Sequence, residues 1–295
     1  MQTLKEIRHM LSSERLKPNR KLGQNFLVDG NIMRKMLCLS NLSEAEALLE
    51  VGAGTGSLTE ELLASGAHCV AVELDRGLFE LLQRRLANEE NLKLLHGDIL
   101  IDKHTIWPEA LSYLPERASL VSNLPYSIAT PLVAQCLVDS WHAEVGRDTK
   151  RQAFDSLTFT VQKEVADRFC ASPGSKAYGP VSILVSLLGR TTRGSVVPAT
   201  AFWPRPKIAS SVIRIDFDSA AAASICDVEA LSRLMSAAFG HRRKQIGHLT
   251  HTGIGSTDGK SIAAALCKAG INPKLRPEQI SPEGFGTLAH ALSQP

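Results

Sequence analysis

The chain has 295 residues, 44% of them hydrophobic and 21% charged, which excludes bulk disorder and a fibrous fold and leaves length for a core that needs neither disulfides nor structural metal. No apolar run reaches the roughly 18–20 residues of a membrane span, and the start, MQTLKEIRHM, lacks the apolar stretch of a secretory signal, so no membrane partner is expected. The net charge of +3 hides an asymmetry: residues 1–21 carry +4, residues 231–295 carry +5, and the middle carries −6, a pattern that suits a polyanion held at both ends.

Leu4, Ile7 and Leu11 predict a short amphipathic helix at the N-terminus. Apolar runs at 47–53, 68–75, 91–98, 118–124 and 157–161 predict five strands, and helical spacing is read at 58–65, 76–88, 131–138 and 162–171. Buried strands alternating with helices predict an α/β fold, a Rossmann-like and mostly parallel sheet covered on both faces. Near residue 190 the rhythm changes. Residues 192–198 and 208–217, joined by the proline-rich turn 201–207, predict a late antiparallel hairpin at the sheet edge. Beyond the small-residue joint DSAAAAS only helical patterns follow, so residues 1–220 and 221–295 are expected as two domains, the second small and all-helical. The six cysteines (Cys38, Cys69, Cys136, Cys170, Cys226, Cys267) lie at least 31 positions apart without a CxxC pair. They predict reduced thiols in a cytoplasmic protein. No metal site is expected, since His241, His248 and His251 lack cysteine or acidic partners nearby.

The first strand runs into Gly52-Ala53-Gly54-Thr55-Gly56 and then a helix. Glycines there permit a tight turn and close approach of a ligand to the backbone, although a purely structural strand-to-helix turn has the same look. Glu73 ends the second strand, 21 positions after Gly52, where a carboxylate accepts two ribose hydroxyls. Asp98 ends the third, where a carboxylate accepts an exocyclic adenine amine; the alternative is a capping aspartate at a helix start. Three such features at the carboxyl ends of neighbouring strands outline one nucleoside crevice. Asn123-Leu124-Pro125-Tyr126 ends the fourth strand on the same edge. An aromatic amine is a poor nucleophile because its lone pair is delocalised. Accepting its hydrogens on the Asn123 side-chain oxygen and the Leu124 carbonyl aims that lone pair. Pro125 stiffens the turn, and Tyr126 offers a ring for a flipped base. The alternative is an Asx turn with a surface tyrosine.

The motifs LGQNFL (22–27), EVGAGTGSLT (50–59), VELD (72–75), GDIL (97–100), NLPY (123–126), VQKEVADR (161–168), SKAYG (175–179), FWPRPKIASSV (202–212) and FGHRRKQI (239–246) follow in order. In these the chain resembles the KsgA/RsmA family of small-subunit ribosomal RNA adenine dimethyltransferases, from about Lys17 to Leu292. The resemblance implies a methyltransferase sheet, S-adenosyl-L-methionine as cofactor, and two adjacent adenosines near the 3′ end of small-subunit rRNA as substrate. Both become N6,N6-dimethyladenosine, within an assembling small subunit. It places Asn25 and Leu27 against the methionine end of the cofactor, with Gly52 and Gly54 beneath it, Glu73 on the ribose and Asp98 on the adenine amine. Asn123 touches both cofactor and target amine, Leu124 lends its carbonyl, Tyr126 stacks on the base, and Phe202 supplies a second ring, with Pro125 counted in the same catalytic turn. RNA contacts are expected from Arg20, Lys21 and Lys176, and from the run Arg242, Arg243 and Lys244 at a helix of the small domain. The family commonly has Arg-Asn where this chain has Gly247-His248. Two alternatives are a resistance-type methylase of large-subunit rRNA and a non-enzymatic assembly factor of the same fold. Nothing resembles a DNA-reading domain, so DNA is not an expected partner, and the protein is expected to act as a monomer.

Overall fold

In the computed structural model the described residues are 1–145, 148, 150–255 and 257–293, with the backbone alone of Arg20. A central sheet is built from β1 (Ala47–Val51), β2 (His68–Glu73), β3 (Leu92–His96), β4 (Arg117–Ser122), β5 (Ala153–Gln162), β6 (Gly189–Val197) and β7 (Ser210–Phe217). Its order is β3-β2-β1-β4-β5-β7-β6. The first five strands pair in parallel, whereas β7 is antiparallel to both β5 and β6. The late hairpin is therefore present, with its second strand inserted next to β5 and its first left at the edge. All five residues of β1 are buried, as expected of a parallel strand covered on both faces.

Helices α1 (Leu4–Ser13), α2 (Gly30–Ser40), α3 (Ser57–Leu63), α4 (Arg76–Arg85), α5 (Ala129–Glu144), α6 (Lys163–Phe169) and α7 (Pro180–Leu188) accompany the sheet. Local chemistry starts several of them. Thr3 and Glu6 form a reciprocal cap on α1, and the Asp29 and Asp75 carboxylates accept the first free amides of α2 and α4. Helix α2 ends at Asn41, which takes the left-handed conformation (φ 52°) that asparagine tolerates. Neither α2 nor α7 was expected from the sequence. Residues 100–102 and 105–106 form a small β-hairpin.

After β7 every longer element is helical: α8 (Val228–Gly240), α9 (Gly259–Lys268) and α10 (Pro282–Ser293). Their apolar faces (Leu231, Leu234, Leu266, Phe285, Leu288) join the same buried core as β4, β5, α5 and α7. The Trp141 indole N–H donates to the carbonyls of Ala222 and Ile225, 3.1 Å each, tying α5 to the start of the helical part. The opposite face of the sheet packs Met33 and Met36 of α2 and Leu58 and Leu62 of α3 against Leu48 and Ala71. No helix among the described residues is long and apolar enough to cross a membrane.

Candidate active site

The carboxyl ends of β1, β2 and β4, with the turn after β3, open into one cavity of about 230 Å³. Of the residues singled out from the sequence, Lys21, Asn25, Leu27, Gly52, Gly54, Glu73, Asp98, Asn123, Leu124, Pro125 and Tyr126 all line it. The strand order explains the convergence: β1 sits between β2 and β4, the position from which chain connections depart to both sides.

The glycine turn is held in a shape that a side chain would spoil. Gly52 (φ 78°) and Gly54 (φ 62°) are left-handed. A Cβ at Gly52 would stand 3.2 Å from Pro125 Cγ, and one at Gly54 3.2 Å from the Phe26 ring. The Gly54 N–H donates to Glu73 Oε2 and the Asp75 N–H to Glu73 Oε1, 2.7 Å each. Glu73 is 5% exposed, and burial pushes its carboxyl above the usual range against the pull of these two amides. Gln24 extends the network: its Nε2 donates to Asp75 Oδ2, 3.1 Å away, and its Oε1 accepts the Asn19 N–H at 2.7 Å. The N-terminal loop, the β2 end and the glycine turn are thus one hydrogen-bonded unit.

Asp98 is exposed. Its Oδ1 accepts the Leu100 N–H at 3.0 Å, and a hairpin strand follows rather than a helix, so the residue makes an Asx-type turn and not a helix cap. At the end of β4, Asn123 Nδ2 donates to the Asn25 carbonyl, 3.0 Å away, and Asn123 Oδ1 accepts from the Thr160 hydroxyl. The amide orientation is set by these two partners. Tyr126 is half-buried, with its hydroxyl 2.8 Å from Ser210 Oγ, and burial raises its phenol above the ordinary value.

Glu50 was not singled out from the sequence. It is 1% exposed at the end of β1 and lines the cavity beneath the turn. Thr59 Oγ1 donates to its Oε2 at 2.7 Å, and burial pushes its carboxyl up to about 8. The available signal was an acid inside an otherwise apolar strand, ALLEV.

Other expected residues lie elsewhere. Phe202 is 3% exposed and does not line the cavity. It pairs with Leu27 in the short antiparallel ladder 26–27/202–203 and packs into the α2–α3 core, beside the cavity-lining Leu27. Trp203, next to it, stacks on Phe26 with centroids 6.2 Å apart and carries the Arg8 guanidinium at 5.2 Å. Lys21 is exposed at the cavity, while the Arg20 side chain is outside the described residues. Lys176 is exposed away from the cavity in the 175–179 loop. The Arg242–Lys244 run follows α8 in a turn instead of lying on a helix. Arg242 is half-buried, donating to the Ser175 carbonyl at 3.2 Å and facing Glu278 at 3.7 Å. Arg243 and Lys244 line a second cavity with His248, His251, Lys274 and Arg276, and no acidic residue joins its lining. Gly247 has a steric reason there: a Cβ would meet the Pro273 carbonyl oxygen at 2.9 Å. Among the described residues no group of three or more His, Cys, Asp or Glu side chains is placed to hold a metal ion.

The family model for ribosomal RNA adenine dimethylase matches residues 15–294. Ribosomal RNA small subunit methyltransferase A of Shouchella clausii (strain KSM-K16) is 35% identical over 274 residues, covering 92% of this chain and 89% of that protein. The protein of the same name from Phenylobacterium zucineum (strain HLK1) is 36% identical over 291 residues, 99% and 94% of the two chains. The crystal structure of a dimethyladenosine transferase from Plasmodium falciparum shares the fold, with a TM-score of 0.68 at 20% identity over 89% of this chain and 95% of that one. This chain belongs to the ribosomal RNA adenine dimethylase family, whose methyl donor is S-adenosyl-L-methionine.

Proposed function

We propose that the protein methylates the N6 amines of two adjacent adenosines near the 3′ end of small-subunit rRNA, in four transfers that give N6,N6-dimethyladenosine, and that its substrate is an assembling small subunit in the cytoplasm. The observation that carries this reading is the placement of Asn123-Leu124-Pro125-Tyr126 beside the glycine turn in one cavity. The substrate class is supported by relatives named for the small subunit at 35–36% identity.

The residues present fit the cofactor. The left-handed glycines leave backbone where a Cβ would intrude, two carboxylates stand at the ends of β2 and β3, and the apolar Leu27 and Ile99 complete the walls. S-adenosyl-L-methionine supplies an electrophilic methyl on a sulfonium. Glu73 receives the ribose hydroxyls on the lone pairs its two amide bonds leave over, and Asp98, engaged by Leu100 through one oxygen, receives the adenine amine. Asn25 and Leu27 bound the methionine end. Asn123 Oδ1 keeps one lone pair beyond its bond to Thr160 and, with the Leu124 carbonyl, would accept hydrogen bonds from the target amine, whose surplus proton leaves to solvent after transfer. That aligns the nitrogen lone pair with the methyl group, so positioning carries most of the catalysis. The half-buried Tyr126 ring gives the flipped base a stacking face.

The two basic ends hold RNA: Arg20 and Lys21 near the cavity, Lys176 on its loop, and the acid-free cavity of Arg243, Lys244, Lys274 and Arg276 in residues 221–295, the small helical RNA-contacting domain. The protein acts as a monomer. Asn123→Ala tests the site. It is expected to lower methyl transfer by about 100-fold or more, the scale of removing one preorganised polar contact to the transition state, with the fold intact and at most about 1–3 kcal/mol of stability lost through the unpaired Thr160 hydroxyl. Near-normal turnover would refute the assigned role.

A further inference from the structure

Two buried hydroxyls from neighbouring strands reach the two side chains that meet the target base. Thr160, near the end of β5, is fully buried and donates to Asn123 Oδ1. Ser210, the first residue of β7, is also fully buried and lies 2.8 Å from the Tyr126 hydroxyl. The register explains why both arrive together. Thr160 is opposite Val212, and Ser210 is two residues before Val212. Opposed residues, and residues two apart, share a face of a sheet. Both hydroxyls therefore leave the same face at the end where β4 runs into Asn123.

Burying a hydroxyl costs free energy unless it is hydrogen-bonded. The adjacent positions show that bonding is not automatic here: the hydroxyls of Thr158 and Ser211 are buried without a partner. Those of Thr160 and Ser210 are bonded, and each partner belongs to the Asn123–Tyr126 tetrad. Their geometry is also restrictive. Turning the Asn123 amide over would set its oxygen against the Asn25 carbonyl, acceptor against acceptor. Thr160 occupies one of the two lone pairs of Oδ1, which limits the direction of the other. A bond at the Tyr126 hydroxyl holds the far end of the ring, and with Cβ fixed at the other end it sets the direction of the ring's long axis.

We propose that Thr160 and Ser210 are positioning residues for methyl transfer, Thr160 aiming the Asn123 oxygen at the target amine and Ser210 holding the far end of the Tyr126 ring, and so the direction of its long axis, where the base stacks. This rests on the reading of Asn123 and Tyr126 given above.

The test measures methyl transfer to small subunits from cells lacking the modification, for Thr160→Val, Thr160→Ser, Ser210→Ala, Tyr126→Phe and the double variant Ser210→Ala/Tyr126→Phe. Losing one net hydrogen bond that orients a reacting group is expected to lower kcat by about tenfold. The Kd for S-adenosylmethionine and the KM for subunits stay within about twofold, because uniform binding is untouched. Thr160→Ser restores most of kcat, and Ser210→Ala adds no further loss in the Tyr126→Phe background, where its partner is already gone. Thr160→Ala gives the same comparison should Thr160→Val not fold. Wild-type kcat in Thr160→Val, a Thr160→Ser as slow as Thr160→Val, or an equal Ser210→Ala loss with and without the Tyr126 hydroxyl would overturn the proposal. Normal turnover in Asn123→Ala and Tyr126→Ala would instead remove the site assignment beneath it, so the two failures are told apart.

Discussion

Glu73→Gln separates hydrogen-bond geometry from charge at the centre of the site. The native carboxyl accepts two backbone amides, Gly54 through Oε2 and Asp75 through Oε1, at 2.7 Å each. Burial already disfavours its charged form, so neutralising it is inexpensive in itself. What glutamine lacks is the second acceptor. Its NH2 must face one of the two amides, donor against donor, and an unsatisfied buried amide costs about 1–3 kcal/mol. For a chain of this size that lowers the melting temperature by about 2–8 °C. If the Gly54 amide is the one released, the glycine turn loses its tie to β2, and the Kd for S-adenosylmethionine rises by roughly tenfold, the equivalent of about 1.4 kcal/mol. Glu73→Asp retains the charge but is one methylene shorter, and it falls short of the same two amides. Calorimetric titration with the cofactor and thermal unfolding of both variants give the comparison. An unchanged Kd together with an unchanged melting temperature in Glu73→Gln would refute the argument.

Glu50 holds its proton up to about 8 in the fold and releases it near the ordinary carboxylate value when unfolded. The native state thus binds the extra proton between those values, and its stability falls as pH rises through that window. Glu50→Gln is expected to be less sensitive to pH between 5 and 8 in chemical denaturation, and parallel profiles would contradict this. Phe202→Ala is expected to cost about 3–5 kcal/mol as a core truncation, while Phe202→Leu keeps turnover; lost turnover at an unchanged melting temperature in Phe202→Leu would return the ring to contact with the base. Arg243→Glu with Lys244→Glu is expected to weaken binding to small subunits and to reduce the slope of log K against log salt by about one for each phosphate no longer neutralised. Arg242→Ala, which releases Ser175 and Glu278, should act on stability instead; a salt-slope change from Arg242→Ala alone would reverse that division.

The readability of the chain follows from where each pattern gets its meaning. β1, β2 and β4 are buried on both faces, so they appear as apolar runs, and the glycines and the Asn-Leu-Pro-Tyr turn mark their carboxyl ends directly. Helix α7, PVSILVSLL, escaped notice because it is buried nearly all round, which erases the polar face that gives a helix its period. Helix α2 starts only three residues after the segment 22–27 read as cofactor-binding. The surroundings of Phe202 and Arg242 were not legible because they depend on distant partners: Phe202 pairs with Leu27, and Arg242 meets Ser175 and Glu278. Thr160 and Ser210 look like ordinary β-strand residues; the pairing of β4 with β5 brings Thr160 beside Asn123, and that of β5 with β7 brings Ser210 to the same sheet end, within reach of Tyr126. Glu50 announced itself as an acid in an apolar strand, but its burial comes from α3 and its partner Thr59.

The central claim is tested most directly by incubating the protein with methyl-labelled S-adenosylmethionine and small subunits from cells lacking the modification, digesting the RNA and identifying the labelled nucleoside. The account predicts N6,N6-dimethyladenosine at two adjacent positions near the 3′ end of small-subunit rRNA. Label confined to large-subunit rRNA when both subunits are offered, or no label despite measurable binding of the cofactor, would contradict it.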